Sequence, residues 1–110
     1  MTIFQKIIDK QLPADIVHED DRCLAFRDIH PQAPLHVLVI PKKPIPKVAD
    51  MKAEDEAIVG HLLRVASEIA AREKVQDFRL VVNNGAGAGQ SVFHLHVHLI
   101  GGRPLGWPPG

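Results

Sequence analysis

The sequence predicts an α+β fold in which a mainly antiparallel sheet gathers around one long helix. Three observations carry that expectation. Residues 53–73 repeat apolar side chains at helical spacing. Residues 36–40 and 93–100 are short runs with strand patterning. Two apolar stretches between Ile16 and Arg27 flank the turn-forming Glu19-Asp20-Asp21-Arg22, the pattern of a hairpin.

In chain order, Ile3, Phe4, Ile7 and Ile8 fall at i, i+1, i+4 and i+5 and predict a short amphipathic helix over 2–9, with Thr2 as its cap and Pro13 barring continuation. After the hairpin, Phe26 and Asp28 share one face of the second strand or its exit, and Pro31 and Pro34 make a stiff connection. His36-Val37-Leu38-Val39-Ile40, stopped by Pro41, reads as a buried central strand. Lys42–Val48 is a basic, Pro-rich loop. Asp50 then offers an N-cap to the helix 53–73, with Glu54, Asp55 and Glu56 placing negative charge where the macrodipole favours it. Ile58, Leu62, Val65, Ala66 and Ile69 form the helix's apolar stripe. Residues 78–83 and 93–100 are the remaining strands, joined by a Gly-rich loop over 84–92, and three prolines exclude regular structure from the tail 101–110. No repeat or linker divides the chain, so residues 1–110 are expected to form one domain.

Composition narrows the function classes. Thirteen basic residues balance thirteen acidic ones, which argues against a nucleic-acid coat or a polybasic membrane anchor. The single cysteine, Cys23, cannot form an internal disulfide, and no apolar run reaches the ~18–20 residues that span a bilayer. The N-terminal residues mix acid and base and lack a signal-peptide core. A small soluble protein of the cytoplasm is the expectation.

Chemistry concentrates in His94-Leu95-His96-Val97-His98. On a strand the three imidazoles project from one face, while Leu95, Val97 and Leu99 enter the core from the other. A solvated face explains this poorly, since Lys, Thr or Glu would serve as well. Zinc is a second reading. Same-face neighbours are ~6.7 Å apart at Cα, so an ion can take two adjacent members with a third ligand such as His36, but not all three comfortably. The third reading is nucleophilic catalysis, because a neutral imidazole is a competent nucleophile near pH 7. The loop Asn83-Asn84-Gly85-Ala86-Gly87-Ala88-Gly89-Gln90-Ser91 enters directly before the row. Its glycines allow backbone N–H groups to converge on an anion, and Ser91 adds a hydroxyl. It is neither a Rossmann fingerprint nor a P-loop. His18, His30 and His61 read as surface residues, His61 lying off the helix stripe. Asp28 is either an acidic turn residue or a holder of ribose hydroxyls, and Trp107 either an exposed tail aromatic or a docking residue.

The stretch HLHVHLI (94–100) resembles the His-φ-His-φ-His-φφ signature of the histidine triad superfamily. AFRDIHPQAPLHVLVIPKK (25–43), VNNGAGAGQSV (82–92) and the closing GGRPLGWPPG resemble its purine-nucleoside phosphoramidase branch, the histidine triad nucleotide-binding proteins. His98 is unlike the Gln of the nucleotidylyltransferase branch, and Gly101-Gly102 with the WPPG tail is unlike the diadenosine polyphosphate hydrolase branch. The resemblance implies a five-stranded antiparallel sheet with two helices, extended across a homodimer. It implies hydrolysis of the P–N bond of adenosine or guanosine 5′-phosphoramidates, and of aminoacyl-adenylates more slowly, with AMP or GMP as product and no cofactor, nucleic acid or membrane.

By the same resemblance His96 is the nucleophile that forms a nucleotidyl-histidine, flanked by His94, with His36 behind it. His98 and the backbone of Gly89 and Gln90 contact phosphate, and the Ser91 hydroxyl lies near the leaving group. Asp28 is the ribose-binding acid, Ile3, Phe4, Ile7, Phe26, Ile29 and Leu38 line the base pocket, and Asn83 sits near sugar and phosphate. Trp107 approaches the partner subunit's site. Phe93, Arg27, Asn84 and the loop PKKPIPK depart from the branch's usual residues without touching a motif position, Arg27 at the base-pocket rim and Asn84 near the leaving group. Two rival readings stand beside this one: a nucleotide-binding regulatory module with little turnover, and a zinc-dependent hydrolase.

Overall fold

A computed structural model describes residues 1–110. Its strands are β1 (Ile16–Glu19), β2 (Cys23–Arg27), β3 (Leu35–Pro41), β4 (Phe78–Val81) and β5 (Val97–Gly101), and its helices are α1 (Ile3–Ile8) and α2 (Glu56–Arg72). The sheet is antiparallel throughout, in the order β1-β2-β3-β5-β4. The fold is therefore α+β with a five-stranded antiparallel sheet and two helices. No helix is long and apolar enough to cross a membrane.

Strand alternation divides the interior into two cores. Cys23 and Ala25 of β2, Leu35, Val37 and Val39 of β3, and Leu95, Val97 and Leu99 face α2, meeting its Leu62, Val65, Ala66, Ile69 and Ala70. Leu24 and Phe26 of β2 and Leu38 and Ile40 of β3 face the other way and close against Phe4 and Ile7 of α1. A central strand covered on both faces has no polar side to offer solvent, and β3 is buried along its whole length. Pro41 ends that strand from within the ladder, paired with Cys23, rather than stopping it from outside.

Several boundaries differ from the sequence expectation. Helix α2 begins at Glu56, and Asp50 is not its cap. Residues 48–50 and 53–55 form two short 3₁₀ turns separated by extended Met51 and Lys52. The buried Asp55 carboxylate accepts the Lys52 N–H and the Lys43 ammonium, closing the second turn. Strand β4 stops at Val81 instead of Asn83. Strand β5 starts at Val97 instead of Phe93, and its end takes in Gly101. Residues 92–95 are held by loops rather than by a ladder: the Leu95 N–H donates to the Ile45 carbonyl, and Gln90 Nε2 donates to the Val92 carbonyl.

A bulge also changes the pattern of β1. Ile16 pairs with Phe26, but His18 pairs with Ala25, so Val17 and His18 together oppose one residue. Strict alternation would send His18 toward α1; the extra residue sends it to the α2 face. There it meets His61, and both are drawn into a cluster around Asp20 rather than standing free on the surface.

Candidate active site

The alternation that fixes β5 persists upstream of its ladder. Leu95 enters the α2-side core, whereas His94 and His96 turn to the α1 side with His98. Phe4 of α1 stands edge-on to His96 with ring centroids 5.1 Å apart, and the His96 and His98 rings are 5.0 Å apart. His36, on β3, lies 5.2 Å from His98 by the same measure.

Hydrogen bonds fix where each imidazole carries its proton. His96 Nδ1 lies 2.8 Å from the His94 carbonyl, which only accepts, so Nδ1 bears the hydrogen and Nε2 is left with its lone pair. His94 Nε2 likewise donates to the Pro41 carbonyl at 2.7 Å. A second chain starts at the backbone: the Gln32 N–H donates to His36 Nδ1 at 3.0 Å. A neutral His36 then carries its proton on Nε2 and donates it to His98 Nδ1, again at 3.0 Å. His98 is thereby left with a hydrogen on Nε2. One ring of the pair presents a lone pair and its neighbour an N–H, and backbone groups set both states.

Burial disfavours the charged form of three of these rings, His98, His36 and His94. It pushes His98 down to about 4, helped by the neighbouring imidazoles of His96 and His36 and opposed by the Asp28 carboxylate. Burial also lowers His36, against the pull of Asp28 at 3.5 Å, and lowers His94, against its bond to the Pro41 carbonyl. Oxygen and nitrogen atoms of Asp28, His36 and His98 lie close enough together to hold a metal ion. The tautomers argue otherwise, since the His36 proton lies on the line to His98 Nδ1, where an ion would have to sit.

A cleft of about 490 Å³ opens in front of the row, within the usual range for small-molecule sites. Ile3, Phe4, Ile7, Phe26, Ile29 and Leu38 give it an apolar end, and Asp28, Ser91, His96 and His98 a polar one. Leu12, Pro13, Ala14, His30 and Val92 also line it; no sequence pattern had marked the first three or Val92, because they reach the cleft through chain packing. Asp28 is positioned by its own turn, one carboxylate oxygen accepting the His30 N–H at 2.8 Å.

The Gly-rich loop is a folded turn. Residues 86–88 form a 3₁₀ turn between Gly85 and Gly89, whose φ angles of 93° and 98° favour glycine. Gln90 is buried, its amide accepting the Gly85 N–H and donating to the carbonyls of Pro46 and Val92. The backbone N–H groups of Gly89 and Gln90 are consumed within the turn by the carbonyls of Ala86 and Gly85, so neither is free for an anion in this conformation. Ser91 and Val92 line the cleft instead, and their N–H groups donate to no carbonyl of the chain. Asn83 packs beneath Gly89, outside the cleft lining. Trp107 lies away from the cleft, exposed, with the Arg79 guanidinium 5.9 Å from its ring centre. His94, sealed behind Phe4, is a buttress for His96 rather than part of the cleft wall.

Comparison with known proteins agrees with this architecture. The HIT domain family model matches residues 9–105. An uncharacterized HIT-like protein of Synechocystis sp. is 61% identical over 110 residues, covering 99% of this chain and 96% of that protein. The 14 kDa zinc-binding protein of Zea mays is 51% identical over 112 residues, covering 99% and 88%. Among solved structures, a HIT family hydrolase from Legionella pneumophila superimposes with a TM-score of 0.97 at 45% identity, covering all of both chains. The histidine triad nucleotide-binding protein from Candida albicans does so with a TM-score of 0.82 at 30% identity, covering 98% of this chain and 83% of that one.

Proposed function

The chain belongs to the histidine triad (HIT) domain family, and from that premise we propose that it is a purine nucleoside phosphoramidase acting through a nucleotidyl-histidine at His96. The observation that carries the reading is the tautomer of His96: its Nδ1 proton is held by the His94 carbonyl, which puts the lone pair of the neutral ring on Nε2, at the cleft. The Legionella and Candida proteins, a hydrolase and a nucleotide-binding protein by name, agree with it.

In this reading the apolar end of the cleft takes the purine, Asp28 accepts from the ribose hydroxyls, and the phosphoryl group lies between Ser91 and the two imidazoles. His96 Nε2 attacks phosphorus and forms the P–N bond to the ring, the His98 Nε2–H donates to a phosphoryl oxygen, and the substrate's P–N bond breaks as its nitrogen takes a proton drawn from solvent and relayed by the Ser91 hydroxyl. Water then displaces the phosphoryl group from His96. Because Nδ1 keeps its proton throughout, the ring departs as neutral imidazole, and the water's proton passes to solvent. AMP or GMP is released and the original tautomer returns.

The test is intact-mass spectrometry of protein quenched during turnover of adenosine 5′-phosphoramidate. One nucleotidyl adduct mapped to His96 is expected, and a His96→Ala protein should lose at least ~10³-fold in turnover. A variant that hydrolyses at the wild-type rate overturns the reading, and stoichiometric AMP binding with no turnover favours the regulatory module. The name of the Zea mays relative favours a zinc-dependent reading. Against zinc at the row itself, His96 Nε2 is the one lone pair the row turns to the cleft, since His98 Nδ1 accepts the His36 proton and His94 is sealed off, and activity is expected to survive EDTA. We further propose a homodimer that extends the sheet through the edge strand β4, bringing each Trp107 near the other subunit's site; light scattering of the purified protein tests it.

A further inference from the structure

We propose that His18, Asp20, Cys23 and His61 form a structural zinc site on the face of the sheet opposite the cleft. This proposal does not rest on the phosphoramidase reading. The four residues come from β1, its turn, β2 and α2, and their donor atoms converge on one carboxylate oxygen. Asp20 Oδ2 lies 2.8 Å from His18 Nε2, 2.7 Å from His61 Nε2 and 3.4 Å from Cys23 Sγ. The other carboxylate oxygen accepts the backbone N–H groups of Arg22 and Cys23, both at 2.8 Å, which holds the carboxylate so that Oδ2 faces the imidazoles.

The bulge in β1 strengthens the case. It is the irregularity that brings His18 to the α2 face, and re-aiming a side chain toward a site is a recurrent use of bulges. The donor set of two imidazoles, a thiol and a carboxylate suits tetrahedral zinc. With bonds of about 2.0 Å to nitrogen and oxygen and about 2.3 Å to sulfur, the edges of such a tetrahedron are about 3.3–3.6 Å. His18, Asp20 and Cys23 offer donor atoms within 4.8 Å of one another, and His61 Nε2, held by the same Asp20 oxygen, completes the tetrahedron by swinging toward them. The imidazoles and the carboxylate are part-buried, which leaves a path for the ion, while Cys23 is fully buried at the inner corner.

Protons balance as follows. Each neutral imidazole that now donates from Nε2 moves its hydrogen to Nδ1, and the thiol loses its proton to solvent. Zn²⁺ is then neutralised by one thiolate and one carboxylate, with one proton released per ion. Arg22, whose guanidinium lies 3.1 Å from His61 Nδ1, is exposed on the turn and leaves that nitrogen when it becomes a donor. Lys10 and Lys42, the other nearby cations, are engaged by Glu19.

Titration of the metal-free full chain with Zn²⁺ tests the site. One ion per chain is expected, with about one proton released and a raised melting temperature, because the ion ties the hairpin turn to α2. Co²⁺ should give a near-ultraviolet thiolate-to-metal band. His18→Ala and His61→Ala should weaken Zn²⁺ binding by more than ~100-fold while leaving hydrolytic turnover in place, and His96→Ala should bind Zn²⁺ like the wild type. Cys23→Ser should remove the Co²⁺ band; if that variant does not fold, the wild-type spectrum alone reports the thiolate. Absence of uptake, uptake that survives loss of His18 and His61, uptake lost with His96, or a Co²⁺ form without the band each overturns the proposal.

Discussion

Lowering the pH from 7 to 5 should destabilise the fold through the imidazoles at the cleft. His98 is held at about 4 against 6.5 in the open chain. A group whose folded value is depressed binds more protons when unfolded, so stability is full above the open-chain value and is lost as the pH falls toward the folded one. At pH 5 the open-chain ring is almost wholly protonated and the folded ring only about one-tenth so, which corresponds to roughly 2 kcal/mol lost from His98 alone. His36 and His94 are lowered as well and act in the same sense. Against a total stability of ~5–15 kcal/mol the loss is large, worth roughly 8–16 °C in melting temperature for a domain of this size. Carboxylates do not confuse the window. Asp20, Asp55 and Glu19 have lowered values and give up their contribution only as the pH falls below about 4.5. Urea unfolding at half-unit steps between pH 7 and 5 measures the slope, and His98→Gln, which cannot titrate, should flatten much of it. A wild-type stability that does not change over that range, or a His98→Gln protein with the same slope, refutes the account of a ring kept neutral by its surroundings.

Two packing predictions follow. Gln90→Ala removes an amide that joins Gly85, Pro46 and Val92, so about 1–3 kcal/mol of stability should be lost in chemical denaturation, with KM for a phosphoramidate rising more than kcat falls. Gly101→Ala places a Cβ 2.8 Å from Val75 Cγ1 and 3.1 Å from the Asp77 carbonyl, where backbone cannot give way cheaply. A loss of roughly 1–3 kcal/mol is expected, and a neutral result would show that the end of β5 is looser than its packing implies.

The legible parts of this sequence were those that depend on period. Helix α2 announced itself through Leu62, Val65, Ala66 and Ile69, and β3 through an unbroken apolar run, because each pattern records which faces are covered. The shared face of the histidines was readable for the same reason. Boundaries were less so: Asp50 has the chemistry of an N-cap, but extended Met51 and Lys52 interrupt the chain before helix can start, and Asp55 takes its partners from Lys43 and Lys52 instead. The cluster at Asp20 was illegible in principle. A one-residue bulge reverses the face of His18, and nothing in the neighbouring composition marks it.

The tautomer of each ring lies further still from sequence pattern. Three histidines at alternate positions are chemically equivalent on paper; what separates them is the backbone each one meets. The carbonyl of His94 takes the proton of His96, whereas the N–H of Gln32, delivered by a turn more than sixty residues away, works through His36 to make His98 a donor. A reversed amide or a shifted turn would exchange lone pair and N–H donor between the two rings without altering a single histidine. The division of labour in the cleft is therefore a property of chain topology, and it stands or falls with the β3–β5 register that places His36 against His98.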